Sequence, residues 1–118
     1  MSKKKILVAD DDPAILEVIT LILEDAGHAV TTSSNGETVE KVQRELPDLI
    51  LLDIWMSGMD GRDICKHLKT ESKTKHIPIV MISANKDAAA IAIEAGANDF
   101  LAKPFEMTKL LSMVEKYA

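Results

Sequence analysis

Apolar residues along this chain follow two rhythms that take turns. Short unbroken runs, Ile6 to Ala9, Leu49 to Leu52 and Ile77 to Ile82, have strand length and read as strands buried on both faces. Ala29 to Ser33 is a weaker run of this kind, and Phe100-Leu101-Ala102 is a short fifth. Between them the period becomes helical. Ile15, Leu16, Ile19, Ile22, Leu23 and Ala26 form one stripe, and Val39, Val42 and Leu46 a second. Ile64 and Leu68 belong to a third helix, the Ala/Ile-rich stretch Asp87 to Ala95 to a fourth, and Leu110, Leu111, Val114 and Tyr117 to the last. The punctuation agrees. Asp12-Pro13 pairs an N-cap acid with a proline at the first helical position. Gly27 and Gly96 close the first and fourth helices. Asn35-Gly36 opens the second, Pro47 stops it, and Asp60-Gly61 leads into the third.

Strand and helix thus alternate five times, which predicts an α/β fold: a parallel sheet with helices on both faces. The 118 residues fit one domain, 1–118, and a 47% hydrophobic content supplies its core. No apolar run nears the roughly 20 residues of a membrane span, and "MSKKKILVA" is too short in its apolar part for a secretory signal. The single cysteine, Cys65, forms no internal disulfide, which points to a reducing, cytoplasmic setting. A net charge of −5 argues against a nucleic-acid surface, and Lys3-Lys4-Lys5 reads as a solvated lead-in to the first strand.

The chemistry collects where strands end. The first strand ends in Asp10-Asp11-Asp12, the third in Asp53, the fourth near Ser83, and the fifth at Lys103-Pro104. In a parallel sheet these ends share one edge, the edge where such folds bind ligands. Asp12 is committed as a helix cap. Asp10, Asp11 and Asp53 then place up to three negative charges in one crevice, and such a group calls for a cation. Hard oxygen donors, few of them from protein, suit Mg²⁺. Lys103 adds a fixed positive charge and Ser83 a hydroxyl.

These features, in the segments "ILVADDDP", "DLILLDIWMSGMDG", "PIVMISA" and "AGANDFLAKPF", resemble the receiver domain of two-component response regulators over essentially the whole chain. The resemblance implies a doubly wound, flavodoxin-like sheet of strand order 2-1-3-4-5 with five helices. It implies a signalling module, rather than an enzyme in the ordinary sense, that takes a phosphoryl group onto Asp53 and catalyses that transfer itself. Mg²⁺ would be held by Asp10, Asp11, Asp53 and the backbone carbonyl of Trp55, Asp11 directly and Asp10 through water. Ser83 and Lys103 would meet the phosphoryl oxygens, Phe100 would be the aromatic switch residue, and Lys103-Pro104 a cis peptide. Trp55 and Asn85 would flank the approach of hydrolytic water; neither is a carboxylate, so self-dephosphorylation should be slow. The implied partners are a histidine kinase or phosphotransfer protein and a downstream protein target, with no direct nucleic acid and no membrane.

A stand-alone receiver or relay intermediate is expected ahead of a DNA-binding regulator, the alternative being a receiver excised from a larger regulator. Two rivals compete on chemistry. An aspartate-nucleophile phosphohydrolase would use the Asp10/Asp12 spacing but needs a longer chain. A flavin or nucleotide binder would need a Gly-rich or Ser/Thr-rich phosphate loop after the first strand, and Asp10 to Asp12, which stand there, would repel a phosphate. Two departures from the family pattern stand out: Ser57 replaces a usual proline, and the Ser83–Gly96 segment is shorter than usual, which bears on the output surface. His28, His67, His76 and Cys65 read as structural, and the methionines mostly as core, with Met56 and Met59 placed to touch a partner. Asp53 itself is expected to be exposed at its strand end, open to modification.

Overall fold

The computed structural model describes residues 3–34, 37–56, 59–84 and 86–118, with Met59 described through its backbone alone. Five strands, β1 (Lys5–Ala9), β2 (Ala29–Ser33), β3 (Leu49–Asp53), β6 (Ile79–Ser83) and β7 (Asp99–Ala102), form one parallel sheet in the order β2-β1-β3-β6-β7. This is the 2-1-3-4-5 order expected, once the two-residue strands β4 (Trp55–Met56) and β5 (Met59–Asp60) are set aside as a separate antiparallel ribbon. The helices are α1 (Pro13–Asp25), α2 (Thr38–Glu45), α3 (Gly61–Thr70), α4 (Ala88–Ala95) and α5 (Met107–Tyr117).

Strand alternation sorts the core into two halves. Ile6, Val8, Leu49, Leu51, Val80, Ile82 and Leu101 face one way, onto Ile19 and Leu23 of α1 and Leu110 and Val114 of α5. Leu7, Ala9, Ile50, Leu52, Ile79 and Met81 face the other, onto Val42 of α2, Ile64, Cys65 and Leu68 of α3, and Ala88, Ala92 and Ala95 of α4. The unbroken apolar runs are therefore needed because both faces of the sheet are covered. No helix among the described residues is long and apolar enough to cross a membrane.

Several boundaries move. The fourth strand of the sheet starts at Ile79, not Ile77, and takes in Ser83. Ile77 donates its N–H to Thr74 O, closing a turn, and Pro78 has no N–H to give to a ladder. The third strand extends to Asp53, which pairs with Ile82. The opening of the second helix at Asn35-Gly36 lies outside the described residues. Leu46, at its end, takes a left-handed conformation (φ 47°) immediately before Pro47. The β4–β5 ribbon has no apolar alternation of its own, and no sequence pattern announced it.

At the edge away from the acids, Lys69 of α3 ties three segments together. Its ammonium donates to Ile77 O (2.9 Å) and Asn98 Oδ1 (2.8 Å), and Asn98 Oδ1 also accepts from Ile79 N–H (3.0 Å). Desolvation holds the Lys69 ammonium below its ordinary pKa.

Candidate functional site

The sheet brings the carboxyl ends of β1, β3, β6 and β7 to one edge, and with them the acids and the lysine. Asp10 follows β1 directly and is fully buried. Its Oδ1 accepts from Asp12 N–H at 2.9 Å, and its Oδ2 from Lys103 Nζ at 2.9 Å. Asp12 is the N-cap of α1, its Oδ1 accepting from Ala14 N–H at 2.9 Å. Asp11, between them, is exposed. Lys103 also approaches Asp53, Nζ to Oδ2 at 3.7 Å. One ammonium thus stands between two carboxylates that come from distant parts of the chain.

Asp53 is only 6% exposed. The expectation of an open, solvent-facing acceptor is corrected: as the last residue of β3 it pairs with Ile82 of β6, with Asp10 and Lys103 beside it, and this packing buries it. Burial pushes its carboxyl up to about 6. The neighbouring Asp10 charge acts in the same direction, while Lys103 and the Trp55 N–H oppose it. That N–H points at Asp53 Oδ1 from 3.4 Å.

One carboxylate oxygen from each of Asp10, Asp11 and Asp53 lies within 4.8 Å of the others. Oxygens gathered this closely would suit a small, hard divalent cation such as Mg²⁺. Donor type and charge fit as well: three hard oxygens at the end of the sheet, two of them, from Asp10 and Asp53, beside the Lys103 ammonium.

Ser83 is buried at the end of β6, paired in register with Ala102, and its carbonyl accepts from Lys103 N–H at 2.9 Å. The Lys103-Pro104 peptide is cis. Phe100 pairs with Met81 across the sheet and packs, half-buried, against the core on the α2–α3–α4 side. Trp55 is 48% exposed, and the Arg62 guanidinium lies 4.6 Å from its ring centroid. Met56 is buried, as the core reading of the methionines has it, and its side chain is not at a partner surface. Ser57, Gly58 and Asn85 lie outside the described residues, and with them the proline departure and half of the pair expected to flank hydrolytic water. The histidines stand apart: His28 Nδ1 accepts from Lys4 N–H at 3.2 Å, and His67 faces Glu71 at 3.5 Å.

Two residues matter here beyond the candidate site residues named from the chain. A Cβ built on Gly61 would collide with the carbonyl oxygen of Asp53 and come within 2.9 Å of Ile54 Cα and O. The start of α3 therefore lies directly on the backbone that carries Asp53. The Asp-Gly pair had signalled a helix start, not this contact. Arg62 was not foreseen; no local pattern marks a residue whose partners, Asp60 and Trp55, meet it only after the ribbon forms.

Residues 6–115 match the family model described as response regulator receiver domain. The DNA-binding response regulator MtrA of Mycolicibacterium smegmatis is 37% identical over 95% of this chain and 49% of its own length. The chain thus spans about half the length of that relative. A protein assigned as a response regulator from Chloroflexus aurantiacus superposes with a TM-score of 0.93 at 34% identity, covering 98% of both chains. The receiver domain of the sensor histidine kinase PA1611 from Pseudomonas aeruginosa superposes with a TM-score of 0.90 at 28% identity, covering 98% of both, and carries a magnesium ion coordinated in its active-site cleft.

Proposed function

This chain belongs to the response regulator receiver domain family, a family of two-component signalling modules, and from that membership we propose that it accepts a phosphoryl group on Asp53. The observation that carries the reading is the convergence of Asp10, Asp11, Asp53 and Lys103 at one sheet edge. A carboxylate oxygen of Asp53 attacks phosphorus, the bond from phosphorus to the donor breaks, and the donor leaves with its electron pair. For a phosphohistidine donor, the leaving group is imidazole.

Lys103 is drawn to the site by both carboxylates and sets its ammonium beside the incoming phosphoryl oxygens, offsetting their charge. Ser83 supplies a hydroxyl to the same oxygens. Asp10, Asp11, Asp53 and the Trp55 carbonyl would hold Mg²⁺, which when bound supplies further positive charge at the phosphoryl group. Asp10 does not serve as a nucleophile of the phosphohydrolase kind. It is fully buried, and both its oxygens are already engaged. Neither Trp55 nor Asn85 is a base, so slow loss of the phosphoryl group belongs to the same proposal.

The donor is a histidine kinase or phosphotransfer protein, which places the domain in the cytoplasm, and the product state acts on a downstream protein. The match to half of MtrA favours a second context beside the stand-alone or relay one, in which the receiver works within a longer regulator. The test is labelling with acetyl phosphate and Mg²⁺. The natural chain should gain one phosphoryl group by mass, and Asp53→Asn none. A full gain in the variant would place the acceptor elsewhere.

A further inference from the structure

Arg62 occupies the first turn of α3, yet its side chain folds back onto the ribbon. Its Nε lies 3.0 and 3.1 Å from the two oxygens of Asp60, and its Nη2 lies 2.7 Å from Oδ2, a forked pair. Its guanidinium carbon lies over the Trp55 ring, 4.6 Å from the centroid. Asp60 is also the N-cap of α3, accepting from Arg62 N–H at 2.9 Å, and Trp55 and Asp60 are opposite partners in the β4–β5 ladder. Hydrogen bonding to Arg62 holds the Asp60 carboxyl below its ordinary range. Arg62 therefore clasps both strands of a ribbon only two residues long on each side, and a ribbon that short has little stability of its own.

The Trp55 N–H points at Asp53 Oδ1. The clasp therefore ends one hydrogen bond from the acceptor carboxylate.

We infer that Arg62 is a positioning residue for the acidic site: by stacking on Trp55 and pairing with Asp60 it fixes the ribbon, and through the Trp55 backbone it sets the Asp53 carboxylate for cation binding. The inference rests on the reading of Asp10, Asp11 and Asp53 as a Mg²⁺ site. Groups that orient a metal ligand typically contribute about 10–100-fold in affinity. Arg62 acts one residue further out, so the low end applies. The clasp uses both properties of the guanidinium, its fork and its flat face, and lysine offers neither.

The experiment is a Mg²⁺ titration followed by the amide resonances of Asp11 and Asp53, with thermal unfolding in EDTA as a check on folding. Arg62→Ala should weaken Mg²⁺ binding about tenfold, and Arg62→Lys should weaken it in the same direction. In a Trp55→Ala background, Arg62→Ala should have a clearly smaller further effect, because the ring it stacks on is gone and only the Asp60 pair is left to lose. An Arg62→Ala affinity within twofold of the natural chain would overturn the inference and leave the Mg²⁺ site standing. An equal loss in both backgrounds would also overturn it, since the effect would then bypass Trp55. If Arg62→Ala unfolds, Arg62→Lys decides, and unchanged affinity there overturns the clasp. Absence of Mg²⁺ binding in the natural chain would remove the cation site itself, and the positioning role with it.

Discussion

At the scale of single residues, Asp53 carries a conflict between its charge and its burial. Its carboxyl ends a strand buried on both faces, next to the equally buried Asp10, and Lys103 is shared between them. The result is a group that titrates near 3.8 in the unfolded chain and about 6 in the folded one. Between those values the folded state holds a proton that the unfolded state has lost, so the share of stability that depends on this group is greatest below pH 4 and falls as pH rises through 6. Without divalent cations, Asp53→Asn should therefore stabilise the fold at pH 7.5, by on the order of 2 kcal/mol, and the gain should vanish near pH 4. Urea unfolding at the two pH values in EDTA measures this. A gain independent of pH would mean that charge burial at Asp53 is not the cause. Asp11, exposed beside them, needed no tertiary information to be named.

At the scale of elements, the decisive contact is between the start of α3 and the end of β3. Gly61 N–H donates to Ile54 O at 2.7 Å, and its α-carbon sits against the Asp53 carbonyl. Every atom in the way of a side chain there is backbone, which cannot swing aside. Gly61→Ala should cost about 1–3 kcal/mol, and because the displaced backbone carries Asp53, it should weaken Mg²⁺ binding as well. Paired urea and Mg²⁺ titrations check both, and loss of stability with unchanged affinity would show that the shift stops short of the carboxylate. α4 shows how far periodicity reaches. The Ala/Ile run predicted a helix there, and it forms over Ala88–Ala95 with Gly96 closing it at φ 86°. Its apolar character on all sides could not say which face turns inward. The sheet chooses Ala88, Ala92 and Ala95, and leaves Ile93 76% exposed.

At the scale of the whole molecule, the site and Phe100 are joined by the β6–β7 ladder, in which Met81 pairs with Phe100 and Ser83 with Ala102. If Ser83 reads the phosphoryl group, the strain passes along this pair of strands toward α4 and α5. Ser83→Ala should then still be labelled by acetyl phosphate, yet show smaller phosphorylation-dependent amide shifts in α4, β7 and α5. Shifts of the natural size would break that link. The five-fold alternation, the two-sided burial of the central strands and the acids at strand ends were all legible in the chain, because each depends on a local period or on which residues stop a run. The parallel sheet and its common edge followed from the same alternation, since parallel strands need crossovers. What only the tertiary structure decided are distances between residues far apart in sequence. Lys103 reaches Asp10 across 93 positions, Gly61 lies against the carbonyl of Asp53, and Arg62 clasps a ribbon that has no apolar signature. Burial of Asp53 belongs with these. The order of residues makes it the end of a strand, but only the packing of β6, Asp10 and Lys103 beside it removes it from water.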